Sequence, residues 1–316
     1  MPAHGAQAEA SLSVQKTGRH KKLLGEFPLH LMLLPCVIIV LVYAYYPMVG
    51  LTIAFQQYNP TKGFFGSKWI GLDNFKYLLS LPNTPSVIFN TVFIALMKMV
   101  AGLIVPIAFA ILLDLIRKQA LKRTIQTIIY VPYFLSWVIL GGILVDILSP
   151  STGIVNDVIR FFGGEPVFFL ANEGIFPYLL VITDVWKGAG YGTIIYLASI
   201  TSIDPALYEA ATIDGANRLK QMWHVTLPGM MPIIVLMATL SLGNILNAGF
   251  EQVLSLYSPV VYSTGDIIDT FIYRLGLVNN QYGISTAAGL FKSVISFIFI
   301  ATGYKLAQKF AGYTVF

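Results

Sequence analysis

Charge is what this chain has least of. Of its 316 residues only 11% are Asp, Glu, Lys or Arg, where a soluble domain carries about 25%. So few charges argue against a fold that faces water on every side. Cysteine is scarcer still: the single Cys36 excludes an internal disulfide. The LLPC string around it lacks the small residues of a lipoprotein cleavage site, so it reads as packing within an apolar run. No G-x-x-x-x-G-K-[ST] string is present, since residues 63–68 lack the Gly-Lys-Ser/Thr ending, which excludes a phosphate loop for ATP within this chain. The four histidines His4, His20, His30 and His224 are scattered. With no His/Cys cluster, H-E-x-x-H string or Ser-His-Asp set, neither a metal centre nor catalysis within this chain is expected. A long internal repeat and low-complexity segments are missing as well.

Apolar residues are abundant at 56%. A membrane-crossing helix needs about 20 of them in a row, and six stretches qualify, at 31–55, 87–113, 125–148, 175–200, 229–250 and 284–306. The polar leader ahead of the first, about 29 residues long, is followed by no A-x-A site, which predicts an uncleaved anchor. The net charge of +5 is placed for orientation and not for nucleic acid. Twelve Lys and Arg fall in the leader (Lys16, Arg19, Lys21, Lys22), after the second stretch (Arg117, Lys118, Lys122, Arg123), after the fourth (Arg218, Lys220) and at the end (Lys305, Lys309). Only Lys62, Lys68, Lys76, Arg160 and Arg274 fall on the other side. The positive-inside rule therefore puts both termini in the cytoplasm. The reading is an all-α, multi-pass inner-membrane protein: a cytoplasmic tail over 1–29 and a transmembrane domain over 30–316. The Pro-, Gly- and Asn-rich stretch 56–86 reads as an external loop with short interfacial helices. Aromatics such as Tyr43, Tyr45, Tyr46, Trp69, Phe161 and Phe162 fall near interfaces, as an aromatic belt does.

The cytoplasmic loop 202–228 is patterned like a pair of helices. Asp204-Pro205 is an N-cap with proline in the first turn. Good helix formers follow to Thr212, Gly215 gives a break, and Ala216 to His224 read as a second short helix, with Leu227-Pro228 opening the next span. Ala206, Ala210 and Ile213 share a small apolar face suited to a groove on a partner protein.

Within that loop stand Glu209-Ala210-Ala211, then Gly215, Val225 and Leu227-Pro228. This resembles the EAA loop of binding-protein-dependent importer permeases: EAA, three residues, Gly, nine residues, Ile, one residue, Leu-Pro. The one departure is Val for Ile. Asp214-Gly215-Ala216 resembles the sugar-importing branch, and so do DVWKGAGYGTIIYLASI and FEQVLSLYSPVVY elsewhere in the chain. The branch that imports complex oligosaccharides, alginate and pectin fragments among them, is the most similar. The resemblance implies a type I ABC importer permease fold with six spans and both ends inside. It implies a second permease subunit, here expected to be a distinct chain, two ATPase subunits that hold ATP and magnesium, and an extracytoplasmic solute-binding protein. It also implies that the helix carrying Glu209 couples to the ATPase.

Ionisable groups inside spans are costly and mark candidate pathways. Lys98, Lys187 and Lys292 fall at similar depth in the second, fourth and sixth stretches. Asp184 and Tyr191 lie one turn either side of Lys187 on the same face, and a plain Asp184–Lys187 ion pair is the competing reading. In the fifth stretch Asn244, Asn247 and Glu251 fall at i, i+3 and i+7, again one face. These eight residues are the expected pathway walls. Three lysines against two acids in the spans, Asp184 and Glu251, would suit an anionic sugar. Glycines 188, 190, 192, 141 and 142 read first as close-packing positions. Other solutes (simple sugar, phosphate, amino acid), a membrane-embedded enzyme and a stand-alone channel or secondary transporter are the competing readings. The enzyme lacks a reactive constellation, and the stand-alone channel or transporter has no use for a coupling helix.

Overall fold

In the computed structural model residues 28–311 are described, side chains excepted at 304 and 306–311. Lys16, Arg19, Lys21, Lys22, His4, His20 and the side chain of Lys309 lie outside the described residues. Of the tail expected over 1–29, residues 28 and 29 already belong to the first helix.

Helix α1 (Pro28–Phe55) runs 28 residues at a mean hydropathy of 2.1, its apolar stretch wholly exposed. A π turn over Leu41–Tyr45 precedes a 3-10 segment, Tyr46–Phe55. Pro47 explains the change: a proline ring clashes with the carbonyl four residues back, and a widened turn gives it room. The external loop then makes a small hairpin, β1 (Gln56–Gln57) against β2 (Lys68–Trp69), and helix α2 (Asp73–Ser80). Asn74 Nδ2 ties α2 to the end of α1 by donating to Ala54 O at 2.9 Å and Gln56 O at 3.0 Å. The short helix was expected; the strands were not.

Helices α3 (Thr84–Leu115) and α7 (Phe176–Thr201) form the centre. They approach so closely that a Cβ on Gly192 would stand 2.9 Å from the Pro106 ring, while on another side of α7 one on Gly190 would stand 2.4 Å from Ile129 O. A Cβ on Gly141 would lie 2.9 Å from Ser255 Cβ, whereas Gly188 and Gly142 face open space. Packing accounts for three of the five glycines.

The stretch expected as one straight span over 125–148 is broken. Its halves α4 (Gln119–Phe134) and α5 (Trp137–Ile147) meet at 108°. Pro132 removes one backbone donor, and Ser136 starts α5 afresh by accepting from Ile139 N at 3.3 Å. Helix α6 (Ile154–Phe161) follows on the external side.

The fifth stretch is displaced. Helix α9 (Arg218–Leu242) begins in the cytoplasmic loop and ends before residue 250. The second short helix expected over 216–224 is therefore the first turns of this span, and Leu227-Pro228 lies inside it. Another π turn, Met222–Thr226, precedes Pro228, for the reason given at Pro47. Beyond Leu242 come turns, then Gly249 at φ +88° and helix α10 (Phe250–Leu256). Helices α11 (Ile268–Tyr273) and α12 (Tyr282–Ala311) complete the chain.

Among the described residues α1, α3, α9 and Tyr282–Gly303 are long and apolar enough to cross a membrane, and the bent α4–α5 pair makes a fifth. Helix α7, at 26 residues, spans about 39 Å at 1.5 Å per residue. It is less apolar because it is enclosed: Phe176, Leu180, Ala189, Tyr196 and Ile200 are buried against its neighbours. A helix shielded from lipid can carry polar groups that a lipid-facing one cannot.

Candidate functional site: a cytoplasmic hairpin and a broken helix

On the cytoplasmic side, helix α8 (Pro205–Ile213) starts as the residues dictate. Asp204 Oδ1 accepts from Ala206 N at 2.9 Å. It ends where Gly215 takes φ +76°, with Gly215 N donating to Thr212 O at 3.1 Å and Ala216 N to Ala211 O at 2.8 Å. This is a Schellman cap, which needs a left-handed residue at that position. The spacing of Gly215 from Ala211 is therefore helix-end chemistry. Asn217 caps α9 by accepting from Lys220 N at 2.9 Å. Two bonds staple the hairpin: Gln221 Nε2 donates to Thr212 Oγ1 at 2.9 Å, and Tyr208 and Thr226 share a hydroxyl bond of 3.0 Å.

Held this way, α8 turns Tyr208 and Ala211 inward and leaves Ala206, Glu209, Ala210 and Ile213 exposed. Ile213 is 86% exposed. Asp214 is exposed and Ala216 half-buried; Leu227 is half-buried and Pro228 exposed, both within α9. A cavity of about 890 Å³ opens under the hairpin, lined by Glu209, Tyr208, Arg218 and, from the end of α3, Asp114.

The intramembrane residues are arranged differently from the pairing expected. Asp184 does not pair with Lys187. It meets Lys98, whose Nζ lies 3.4 Å away. Lys98 is buried, donates to Ala248 O at 2.7 Å and also binds Gln252 Oε1. Gln252 Nε2 in turn donates to Thr183 Oγ1 at 2.7 Å and Leu180 O at 2.8 Å. One network thus joins α3, α7 and α10. Lys187 points to the break between α4 and α5, donating to Tyr133 O at 2.9 Å. It lies 5.4 Å from the Tyr133 ring centre and 5.7 Å from that of Trp137. Tyr191 stacks on Tyr133 at 4.7 Å. So Lys187 and Tyr191 do share a site, completed by Tyr133 and not by Asp184. Backbone geometry decided it, because the broken span exposes a carbonyl that a cation one helix away can reach.

Lys292 pairs with Asp269 at 2.5 Å. Both border a cleft of about 940 Å³ with Asn244, Asn247, Tyr273 and Tyr282. Asn244, Asn247 and Glu251 do not form one helical face. The helix stops at Leu242, the two asparagines lie in turns, and Glu251 sits on α10, exposed and away from the cleft. Asp269 also corrects the charge tally: Lys98 and Lys292 each have a carboxylate, and Lys187 alone of the three meets a carbonyl and two rings. Gln252 and Asp269 escaped the sequence reading, although each is a polar residue within an apolar run.

Non-helical backbone at membrane depth is tolerated where it lines a cavity or is buried in protein. The turns from Gly243 to Gly249 meet that condition, with the cleft on one side and Lys98 bonded to Ala248 O on the other.

Residues 102–312 match the family described as "Binding-protein-dependent transport system inner membrane component". The polygalacturonan/rhamnogalacturonan transport system permease protein YteP of Bacillus subtilis is 42% identical over 289 residues, covering 92% of this chain and 90% of that one. A chain in the crystal structure of a bacterial ABC transporter involved in the import of the acidic polysaccharide alginate superposes with a TM-score of 0.84 at 38% identity, covering 92% of this chain and 98% of that one. A second structure, the alginate transporter in complex with an alginate pentasaccharide-bound periplasmic protein, gives 0.84 at 37% identity, covering 92% and 96%. This chain therefore belongs to the inner-membrane permease components of binding-protein-dependent transport systems, and has the type I ABC importer permease fold.

Proposed function

We propose that the chain passes an oligosaccharide, of acidic uronate type, from a solute-binding protein into the cytoplasm by alternating access. The observation that carries this is the agreement in fold and sequence, along nearly the whole chain, with permeases whose names specify polygalacturonan and alginate. The chain is non-catalytic in this reading. ATP and magnesium are held by two partner ATPases, and a second, distinct permease chain completes the pathway.

The hairpin supports the coupling role. Glu209, Ala210 and Ile213 stand exposed on a helix fixed at both ends, a shape that seats in a partner's groove. Closure of the ATPase pair would draw two such helices together and tilt the bundle, a rigid-body switch driven by different contacts in two states. The pathway is assigned to Lys187, Tyr191, Asn244, Asn247 and Lys292, which line clefts or meet aromatic rings. Lys98 and Asp184 lie behind it as its frame, and Glu251, exposed on α10 away from the cleft, is left outside it. An ammonium beside stacked tyrosines suits a sugar carrying a carboxylate.

Uptake in vesicles holding the whole importer tests the proposal. Labelled uronate oligosaccharides are expected to accumulate with ATP and binding protein, ahead of neutral ones, and Lys187→Ala is expected to erode that preference. Neutral sugars entering equally well, with acidic uptake intact in Lys187→Ala, would remove the acidic cargo. Uptake without ATP would remove the importer.

A further inference from the structure

Helix α6 has three distinct flanks. Asn156 is fully buried. Its Nδ2 donates to Ser149 O at 3.0 Å, Val167 O at 3.1 Å and Leu148 O at 3.3 Å, while its Oδ1 accepts from Val167 N at 2.7 Å. These bonds clamp the helix to the end of α5. The second flank is polar and exposed: Arg160 pairs with Asp157 at 2.7 Å and reaches the carbonyls of Pro150 and Ser151. The third is apolar and exposed. Ile154, Val158 and Phe161 follow at helical spacing, and Phe161 and Phe162 are 85% and 80% exposed. The phenylalanines cannot turn inward, because a Schellman cap fixes the chain just past them. Gly163 at φ +81° donates to Arg160 O and Gly164 donates to Ile159 O, both at 2.9 Å.

We propose that α6 is an interfacial helix whose Ile154–Val158–Phe161 stripe, with Phe162, lies in the outer leaflet of the bilayer. Three observations select lipid over a protein partner. The helix is clamped directly to the end of α5, whose last turns leave Ile143 and Val145 exposed and apolar. Its stripe therefore continues the exposed apolar surface of a helix that the family places in the membrane. The stripe also carries no hydrogen-bonding group, whereas a protein-docking patch mixes aromatic anchors with polar contacts. And its charged residues all lie on a separate flank, where a helix lying along the interface needs them. Phenylalanine side chains at headgroup depth then set how far α5 sits in the membrane.

The test places an environment-sensitive fluorophore on single cysteines in a Cys36→Ser background, with the full chain in phosphatidylcholine vesicles. Phe161→Cys is expected to give blue-shifted emission, quenched by phospholipid carrying a doxyl group near the headgroup and little affected by iodide. Asp157→Cys, on the polar flank, is expected to show the reverse. Phe162→Cys supplies the same reading if the first variant fails to fold. Iodide quenching at 161 and 162 as strong as at 157 would overturn the proposal. So would shielding from iodide that arises only when the solute-binding protein is added.

Discussion

Lys98 and Asp184 meet across two helices, Nζ to Oδ1 at 3.4 Å, although Lys187 stands one turn from Asp184 on the same helix. The choice follows from what each lysine can reach. Lys98 is enclosed and needs every acceptor near it: a carboxylate, an amide oxygen and a backbone carbonyl. Lys187 has a free carbonyl at the α4–α5 break and two aromatic rings.

Removing one member of such a network leaves the rest unsatisfied. Lys98→Met is expected to destabilise the protein by about 3 kcal/mol, the low end for a broken buried pair, because Asp184 keeps 35% side-chain exposure and is less enclosed than Lys98. Lys98→Met with Asp184→Leu should recover part of that loss. Thermal unfolding in detergent compares the two, and a double variant no better than the single would count against the pairing.

Gly249 permits the chain to re-enter helix α10. An added Cβ would stand 2.7 Å from Lys98 Nζ, and φ is +88°. Gly249→Ala is expected to cost about 1–3 kcal/mol through backbone strain and to lower uptake with it. Gly243→Ala, at φ −60°, is expected to be milder. Equal effects would separate transport from the shape of this break.

At the hairpin, Ile213→Ser removes an exposed side chain that touches nothing in this chain's core. Stability is expected to stay within about 0.5 kcal/mol, as for other surface changes, while co-purification with the ATPase falls. Glu209→Lys should behave alike. A variant that unfolds, or one that keeps its ATPase, would contradict the assignment.

Gly215→Val probes the cap itself. A β-branched residue at φ +76° is expected to cost about 1–3 kcal/mol locally. Faster amide exchange across 205–216 should report it, with exchange in α3 unchanged.

Much of this was readable beforehand. Asp204-Pro205 and Gly215 predicted the ends of α8, because cap chemistry is local and depends on few residues. Apolar stretches located the membrane helices for the same reason. What the pattern missed was long-range. Nothing near residue 135 in sequence announces a 108° bend, though Pro132 permitted one. The helical spacing of Asn244, Asn247 and Glu251 presumed a continuous helix, and apolar composition alone cannot show where a helix stops when cavity-lining turns satisfy its backbone. Side-chain partners such as Gln252 and Asp269 come from elements far along the chain, so spacing within one helix could not find them.

The continuity of α9 has a mechanical consequence. Its π turn accommodates Pro228, Pro232 lies further along, and Arg218–Leu242 still runs as one helix of 25 residues, about 37 Å long at 1.5 Å per residue. Its near end is stapled to the exposed hairpin, and its far end gives way to the turns beginning at Gly243. A continuous helix braced at one end passes displacement along its length to the end that is free to yield. In the proposed coupling role, a thrust on α8 would therefore reach Asn244 and Asn247, on the rim of the intramembrane cleft.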